Sequence, residues 1–307
     1  MSWLNIIIIV LGLCLFETIA SIDNAVINAE VLSTMQAKAR KWFLFWGLLI
    51  AVFLIRGLLP WLIVWGVNPS LGPIGALTST FSSDPSVHES VEKAAPILLA
   101  GGGTFLIFLF FHWLFLEEKH FGLPRIEKFF LRKGVWFYAV VSILLSFIVW
   151  FTLKQNPMMA FGAVLGSTAF FITHGFKQNA EEKERTLTDK SLSDLSKLFY
   201  LEIIDATFSI DGVLGAFAFT LSVPLILLGN GLGALVVRQI TIGNIERIKK
   251  YIFLKNGAMY SILFLGTFML LDSFGVPIPQ WAASVVTFMA VGYFFLKSHK
   301  NLKNLSA

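Results

Sequence analysis

Residues 16–30 read Phe16-Glu17-Thr18-Ile19-Ala20-Ser21-Ile22-Asp23-Asn24-Ala25-Val26-Ile27-Asn28-Ala29-Glu30, and they extend an apolar run that begins at Ile6. Such a run should not tolerate charge, yet it carries Glu17 and Asp23, with Asn24 beside the second. A later stretch answers it: Leu201-Glu202-Ile203-Ile204-Asp205-Ala206-Thr207-Phe208-Ser209-Ile210-Asp211-Gly212-Val213. Both contain Ser-Ile-Asp, at Ser21–Asp23 and Ser209–Asp211, and both place an acid six residues before that Asp, at Glu17 and Asp205. Rare charges that recur in the same order point to two halves of one site.

Composition sets the medium. Of 307 residues, 56% are hydrophobic and 14% are charged, where a soluble domain carries roughly a quarter charged. The apolar residues fall in blocks of membrane-spanning length, which predicts an all-α, polytopic membrane protein with one transmembrane domain over residues 1–307. Nine spans are expected, at about 4–31, 42–66, 94–116, 134–153, 157–176, 197–220, 222–243, 256–273 and 277–296. The single cysteine, Cys14, excludes an internal disulfide and a multi-cysteine metal site. No cleavable signal is expected, since the first five residues lack a basic segment.

Loop charge supports the count. Alternate segments carry Lys38, Arg40 and Lys41; Lys119, Arg125, Lys128, Arg132 and Lys133; Lys177, Lys183, Arg185, Lys190 and Lys197; Arg247, Lys249, Lys250 and Lys255; and Lys297, Lys300 and Lys303. These are 20 of the 24 basic residues, against 2 (Lys93 and Lys154) on the other segments. The positive-inside rule then puts the N-terminus outside and the C-terminus in the cytoplasm, in the cell (inner) membrane. The net charge of +5 is thereby a property of loops and implies no nucleic-acid partner.

With this topology the two Ser-Ile-Asp helices run antiparallel. The helix after each carries one intramembrane arginine, Arg56 and Arg238, so an inverted repeat is expected, with a first half at about 4–116 and a second at about 197–296. Five intramembrane acids cluster in this scheme: Glu17, Asp23, Glu202, Asp205 and Asp211. Each ionised acid costs about 2.5–3.5 kcal/mol at the bilayer centre on insertion scales. Two arginines acting as counter-charges cannot neutralise five acids, so protons, a metal ion or both must supply the remainder. Carboxylates with the amides of Asn24 and Asn28 form an oxygen-only ligand set, suited to Mg²⁺, Ca²⁺ or Mn²⁺. In a regular helix, residues six apart lie about 9 Å apart along the axis and about 120° apart around it. Either the first helix unwinds near Ser21–Asn24 or the acids form two tiers, and Gly212 permits unwinding in the second copy. His112 and His174 read as interfacial residues, Glu117–His120 as a solvated helix end, and Gly101-Gly102-Gly103 as a close-packing surface rather than a phosphate loop.

The motifs Glu17-x5-Asp23-Asn24 and Glu202-x2-Asp205-x2-Phe208-x2-Asp211 resemble the two acidic motifs of the TerC family of integral membrane proteins, named for tellurite resistance and including bacterial manganese exporters. The arginine-bearing helices that follow, and Lys250 to Tyr260, are similar to that family as well, whereas Gly212-Val213-Leu214 replaces the Ser-Ile-Pro of many relatives. The resemblance implies divalent-metal efflux, manganese first, with Asp23 and Asp211 central and Glu17, Asn24, Glu202 and Asp205 around them. Protons are the expected coupling partner, no resident cofactor is expected, and no enzymatic activity is implied. Two other classes compete: a non-transporting scaffold or assembly factor of a stress response, and an intramembrane enzyme built on Glu117-Glu118. Metal flux separates the first from transport. Lys119-His120 after the acid pair makes the second a poor match.

Overall fold

The computed structural model describes residues 2–47, 50, 56–67, 69–78, 85–187, 193–243 and 245–306. The side chains of Asp23 and Arg56 lie outside the described part. All secondary structure among the described residues is helical: α1 (Trp3–Ala20), α2 (Ile22–Ser33), α3 (Ala37–Trp42), α4 (Arg56–Val67), α5 (Gly72–Thr78), α6 (Pro85–Leu116), α7 (Pro124–Leu131), α8 (Phe137–Gln155), α9 (Pro157–Leu187), α10 (Asp194–Ala216), α11 (Val223–Gly243), α12 (Ile245–Lys249), α13 (Leu254–Ser273) and α14 (Ala282–Ser306). A helix satisfies its own backbone hydrogen bonds, which apolar surroundings demand. Starts are marked by residues suited to them. Ser2 and Ser193 accept from Asn5 N and Ser196 N at 3.3 and 3.2 Å, and Pro124 opens α7.

Among the described residues, six helical segments are long and apolar enough to cross a membrane: Trp3–Ala20, Lys93–Leu116, Gly134–Gln155, Pro157–Gln178, Val223–Thr241 and Leu254–Ser273. This is a multi-pass membrane architecture. The three other expected spans differ in kind. Residues 48–49 and 51–55 of the second lie outside the described residues, α10 carries three acids over 202–211, and α14 runs into a basic tail through Lys297, Lys300 and Lys303.

The core forms where α6 meets α8, α9 and α13. Phe105, Phe108, Trp113, Phe137 and Phe170 are buried there, with the rings of Phe105 and Phe108 edge-on to Phe170 at 6.0 and 5.8 Å. The triple glycine lets backbones meet, as its composition suggested. A Cβ on Gly101 would lie 2.8 Å from Gly162 O, and one on Gly103 would lie 3.0 Å from Gly266 O. A Cβ on Gly166 would overlap Gly101 O outright. Beside this core, α1 packs on α11 and α14, and α2 and α10 close the side where the acids lie.

Candidate functional site

The first acidic helix is interrupted at Ser21, in the stretch where the spacing offered a break as one of two alternatives. Ser21 separates α1 from α2 with φ −93° and ψ 6°, but Ser21 N still donates to Glu17 O at 3.1 Å and Ala25 N to Ser21 O at 2.9 Å. The result is a kink held by hydrogen bonds, not an unwound segment. The second copy behaves differently. α10 runs unbroken through Gly212, so the unwinding that this glycine permits is not used there. Gly212 serves close approach instead: a Cβ on it would sit 2.6 Å from Glu17 Oε2.

α1 and α2 lie antiparallel to α10 along its length. Glu17 abuts Gly212, Asn24 Nδ2 donates to Asp205 Oδ1, Lys197 Nζ donates to Thr34 Oγ1 at 2.8 Å, and Gln36 N donates to Asp194 Oδ2 at 3.2 Å. Numbers rise along one element as they fall along the other. Glu17, Asn24 and Asp205 are all buried. Ser21 Oγ donates to Glu17 Oε1 at 2.5 Å, and Gly233 of α11 receives the Glu17 stem, where a Cβ would lie 2.6 Å from Glu17 Cβ. The first acid is therefore wedged between α10 and α11.

Glu202 lies on the other side of the site. Phe43 to Gly47, directly after α3, form a π-type turn. This turn presents Phe43 O to Arg238 Nη2 at 2.6 Å and stacks the Phe43 ring 4.3 Å from the guanidinium. It also brings Gly47 against Glu202, so closely that a Cβ there would overlap Glu202 Oε1 and stand 3.2 Å from Arg238 Nη2. Arg238 is thus a buried cation beside Glu202.

Lys177 corrects the charge inventory. Counted as a loop residue from sequence, it lies inside α9, which continues to Leu187, and its Nζ donates to Asp211 Oδ2. Among the described residues, Lys177 therefore joins Arg238 as a second cation beside the acids. The acids still outnumber the cations, and several oxygens have no donor. Asn24 Oδ1, Asn28 Oδ1, Asp211 Oδ1 and both Glu202 carboxylate oxygens are buried without a hydrogen-bond partner, as are both amide atoms of Asn230 on α11. Buried polar atoms are otherwise nearly always satisfied. Asn230 and Lys177 are the residues sequence reading missed. The first has no charge to mark it, and the second is disguised as an end-of-span lysine. Among the described residues no three His, Cys, Asp or Glu side chains converge as a metal cage. Asp23 and Arg56 fall outside that statement.

A separate polar cluster lies at the end of α6. His112 and His174 are in ring contact at 3.9 Å, His112 Nδ1 is 3.4 Å from Glu117 Oε1, and Lys255 Nζ is 2.8 Å from Glu117 Oε2. His112 is buried and His174 half-buried, so both are packed groups rather than interfacial histidines, while Glu118 and His120 of the expected solvated end are exposed. Burial would raise the Glu117 carboxyl, but the His112 hydrogen bond and the Lys255 charge outweigh it and hold the group well below the usual carboxylate range. Glu30, by contrast, is an exposed end charge, 3.3 Å from Lys249 Nζ.

No curated protein and no solved structure matches this chain significantly. One family model does match, over residues 22–304, from the residue before Asp23 to the basic tail, and so takes in both Ser-Ile-Asp aspartates and both arginines. That span is most of the chain, and the protein belongs to the family described as protein of unknown function (DUF475).

Proposed function

We propose that this protein is a divalent-cation transporter, exporting manganese from the cytoplasm across the inner membrane through a nine-span inverted repeat with its N-terminus outside. The observation that carries the reading is the set of donor-less buried oxygens on α2 and α10: Asn24 Oδ1, Asn28 Oδ1, Asp211 Oδ1 and the Glu202 carboxylate. Acceptors without donors are costly in an apolar interior, and a cation relieves those it touches; Glu202 and Asp211, nine residues apart on α10, would belong to two tiers of the pathway and not to one ligand shell. Oxygen ligands select hard ions. The resemblance to the manganese exporters of the TerC family, not the ligand set, puts Mn²⁺ ahead of Mg²⁺ and Ca²⁺.

In this reading the ion is cargo. Asp23 and Asp211 supply the central carboxylates, Glu17, Asn24, Glu202 and Asp205 surround them, and Arg238 and Arg56 are fixed counter-charges. Lys177 Nζ donates to Asp211 Oδ2 and must yield when cargo arrives. Protons and metal compete for the same carboxylates, which is the minimum requirement for antiport. The deciding experiment is Mn²⁺ efflux from proteoliposomes with a pH dye present. Wild type is expected to move Mn²⁺ faster with an inward proton gradient, and Asp23→Asn and Asp211→Asn are each expected to abolish flux while inserting normally. Flux of no divalent ion would reject the reading.

One observation favours the second reading, a membrane scaffold: among the described residues no three His, Cys, Asp or Glu side chains come together as a group that could hold a metal ion. A scaffold shows no flux, and its cellular phenotype survives loss of Asp23 and Asp211.

A further inference from the structure

The short helix α7 is fixed by one buried acid. Glu127 is fully buried, and its Oε1 accepts from Leu123 N at 3.0 Å, Asn256 Nδ2 at 3.1 Å and Tyr260 Oη at 3.2 Å. The bond to Leu123 N caps the start of α7, and the bonds to Asn256 and Tyr260 tie it to α13. With Glu127 turned inward, the opposite face is fixed outward. That face carries Arg125, Lys128, Phe129 and Arg132, spaced three, four and seven residues on from the first, the repeat of one helical stripe. Lys133 follows at the helix end.

Together with Pro124 these residues line an open cavity of about 740 Å³ that holds four cations and no acid. All four are exposed. Unopposed like charge gathered in one concavity raises the local anion concentration. What kind of anion is indicated by the rim. Ile126, Phe129, Val135 and Trp136 are exposed at 48, 59, 86 and 59%, and the membrane-length segment Gly134–Gln155 begins directly below. A free anion has no use for this apolar rim. A lipid has, because its acyl chains lie beside the helix while its phosphate meets the cations.

We propose that the α7 groove seats the phosphate of an anionic phospholipid headgroup, with Arg125, Lys128, Arg132 and Lys133 as its cationic partners and Trp136 at the interface. Basic residues beside a membrane helix attract anionic lipid through short-range, salt-sensitive electrostatics. A charged groove pinned by a buried glutamate adds a fixed geometry to that attraction. The site is independent of the cation pathway and stands or falls without it.

The test uses the full chain in phosphatidylcholine bilayers containing phosphatidylglycerol, with one lipid at a time carrying brominated acyl chains. The fluorescence of interest is the part lost in Trp136→Phe. Wild type is expected to show quenching that favours brominated phosphatidylglycerol by about fivefold, falling toward parity in about 0.5 M NaCl. R125Q/K128Q/R132Q/K133Q is expected to show parity in low salt. Parity in wild type overturns the proposal, whether the true partner is a protein or nothing, and so does a preference that survives in the quadruple variant. Inorganic phosphate at matched ionic strength is the second arm. Loss of the preference to phosphate but not to chloride would make the groove a free-anion site and overturn the lipid assignment. The salt dependence of wild type needs no variant, so a quadruple variant that fails to fold leaves the proposal falsifiable.

Discussion

Lys177 and Glu17 illustrate how single side chains govern the site. Lys177 occupies one oxygen of Asp211 while the other has no donor. Removing the ammonium should therefore expose both oxygens to cargo. Lys177→Met is expected to bind Mn²⁺ about tenfold more tightly, the order of one charged hydrogen bond, and to exchange it more slowly, as read by equilibrium binding and isotope exchange. Unchanged affinity would mean that cargo does not compete with Lys177. Gly212 is the complementary case. A methyl there would stand 2.6 Å from Glu17 Oε2, so Gly212→Ala should cost about 1–3 kcal/mol of stability by overpacking and impair flux through displacement of Glu17. Lys119, outside the spans, carries a pH signature. Burial lowers its pKa from 10.5 to about 8, although Glu117 and Glu127 pull it upward. Between those values the unfolded chain binds the extra proton, so stability should rise as pH climbs from 8 to 10.5 and fall as it returns. In Lys119→Met this component of the rise should vanish, measured as thermal midpoints in detergent at both ends of the window. An identical pH dependence in wild type and variant would show that Lys119 does not titrate there.

Helices carry the next level of specification, and glycine sets how closely they meet. Gly166 and Gly175 share α9, but a Cβ on Gly166 overlaps Gly101 O whereas one on Gly175 meets nothing within 4 Å. Gly166→Ala should destabilise by about 1–3 kcal/mol and Gly175→Ala should be neutral or stabilising by up to about 1 kcal/mol, read as opposite shifts in thermal midpoint. Matching shifts would show that the α6–α9 contact is not backbone-limited. The close-packing role of Gly101–Gly103 was legible from sequence, because three consecutive small residues in an apolar run have few other uses. Helical class and most span positions were legible for the same reason: long apolar blocks leave only helices. The interruption at Ser21 was deducible as one of two alternatives from the six-residue spacing of Glu17 and Asp23. The role of Gly212 was not, since a glycine that admits a neighbour's carboxylate and a glycine that bends its own helix look identical in one dimension. The extent of α9 was missed because charge marks where a hydrophobic stretch ends, not where hydrogen bonding does. Lys177 fell on the wrong side of that line.

At the scale of the molecule, the two acidic elements face each other antiparallel from Glu17–Gly212 to Gln36–Asp194. An antiparallel pair formed from two related segments is what an inverted repeat requires, although one member is kinked and the other straight. The asymmetry has a chemical use in the proposed cycle: only the kinked member can change its bend without breaking a continuous helix. Topology is the larger claim and has a direct measurement. α8 has 19 residues, about 28 Å at the helical rise, and so just crosses the hydrocarbon core. Arg132 before it and Gln155 at its end must then lie on opposite sides. If α14 crosses as the nine-span scheme proposes, Gln280, between α13 and α14, lies opposite Lys300 near the end of α14. The basic-residue asymmetry assigns Arg132 and Lys300 to the cytoplasm. Cysteines at Gln155 and Gln280 are therefore expected to react with a membrane-impermeant maleimide in intact cells, and cysteines at Arg132 and Lys300 only after permeabilisation, with the native Cys14 replaced by serine to remove background. Reversal of all four would invert the protein in the membrane and turn export into uptake. Labelling of Arg132 and Gln155 from the same side would remove α8 as a span and, with it, the alternation of charge on which the orientation rests.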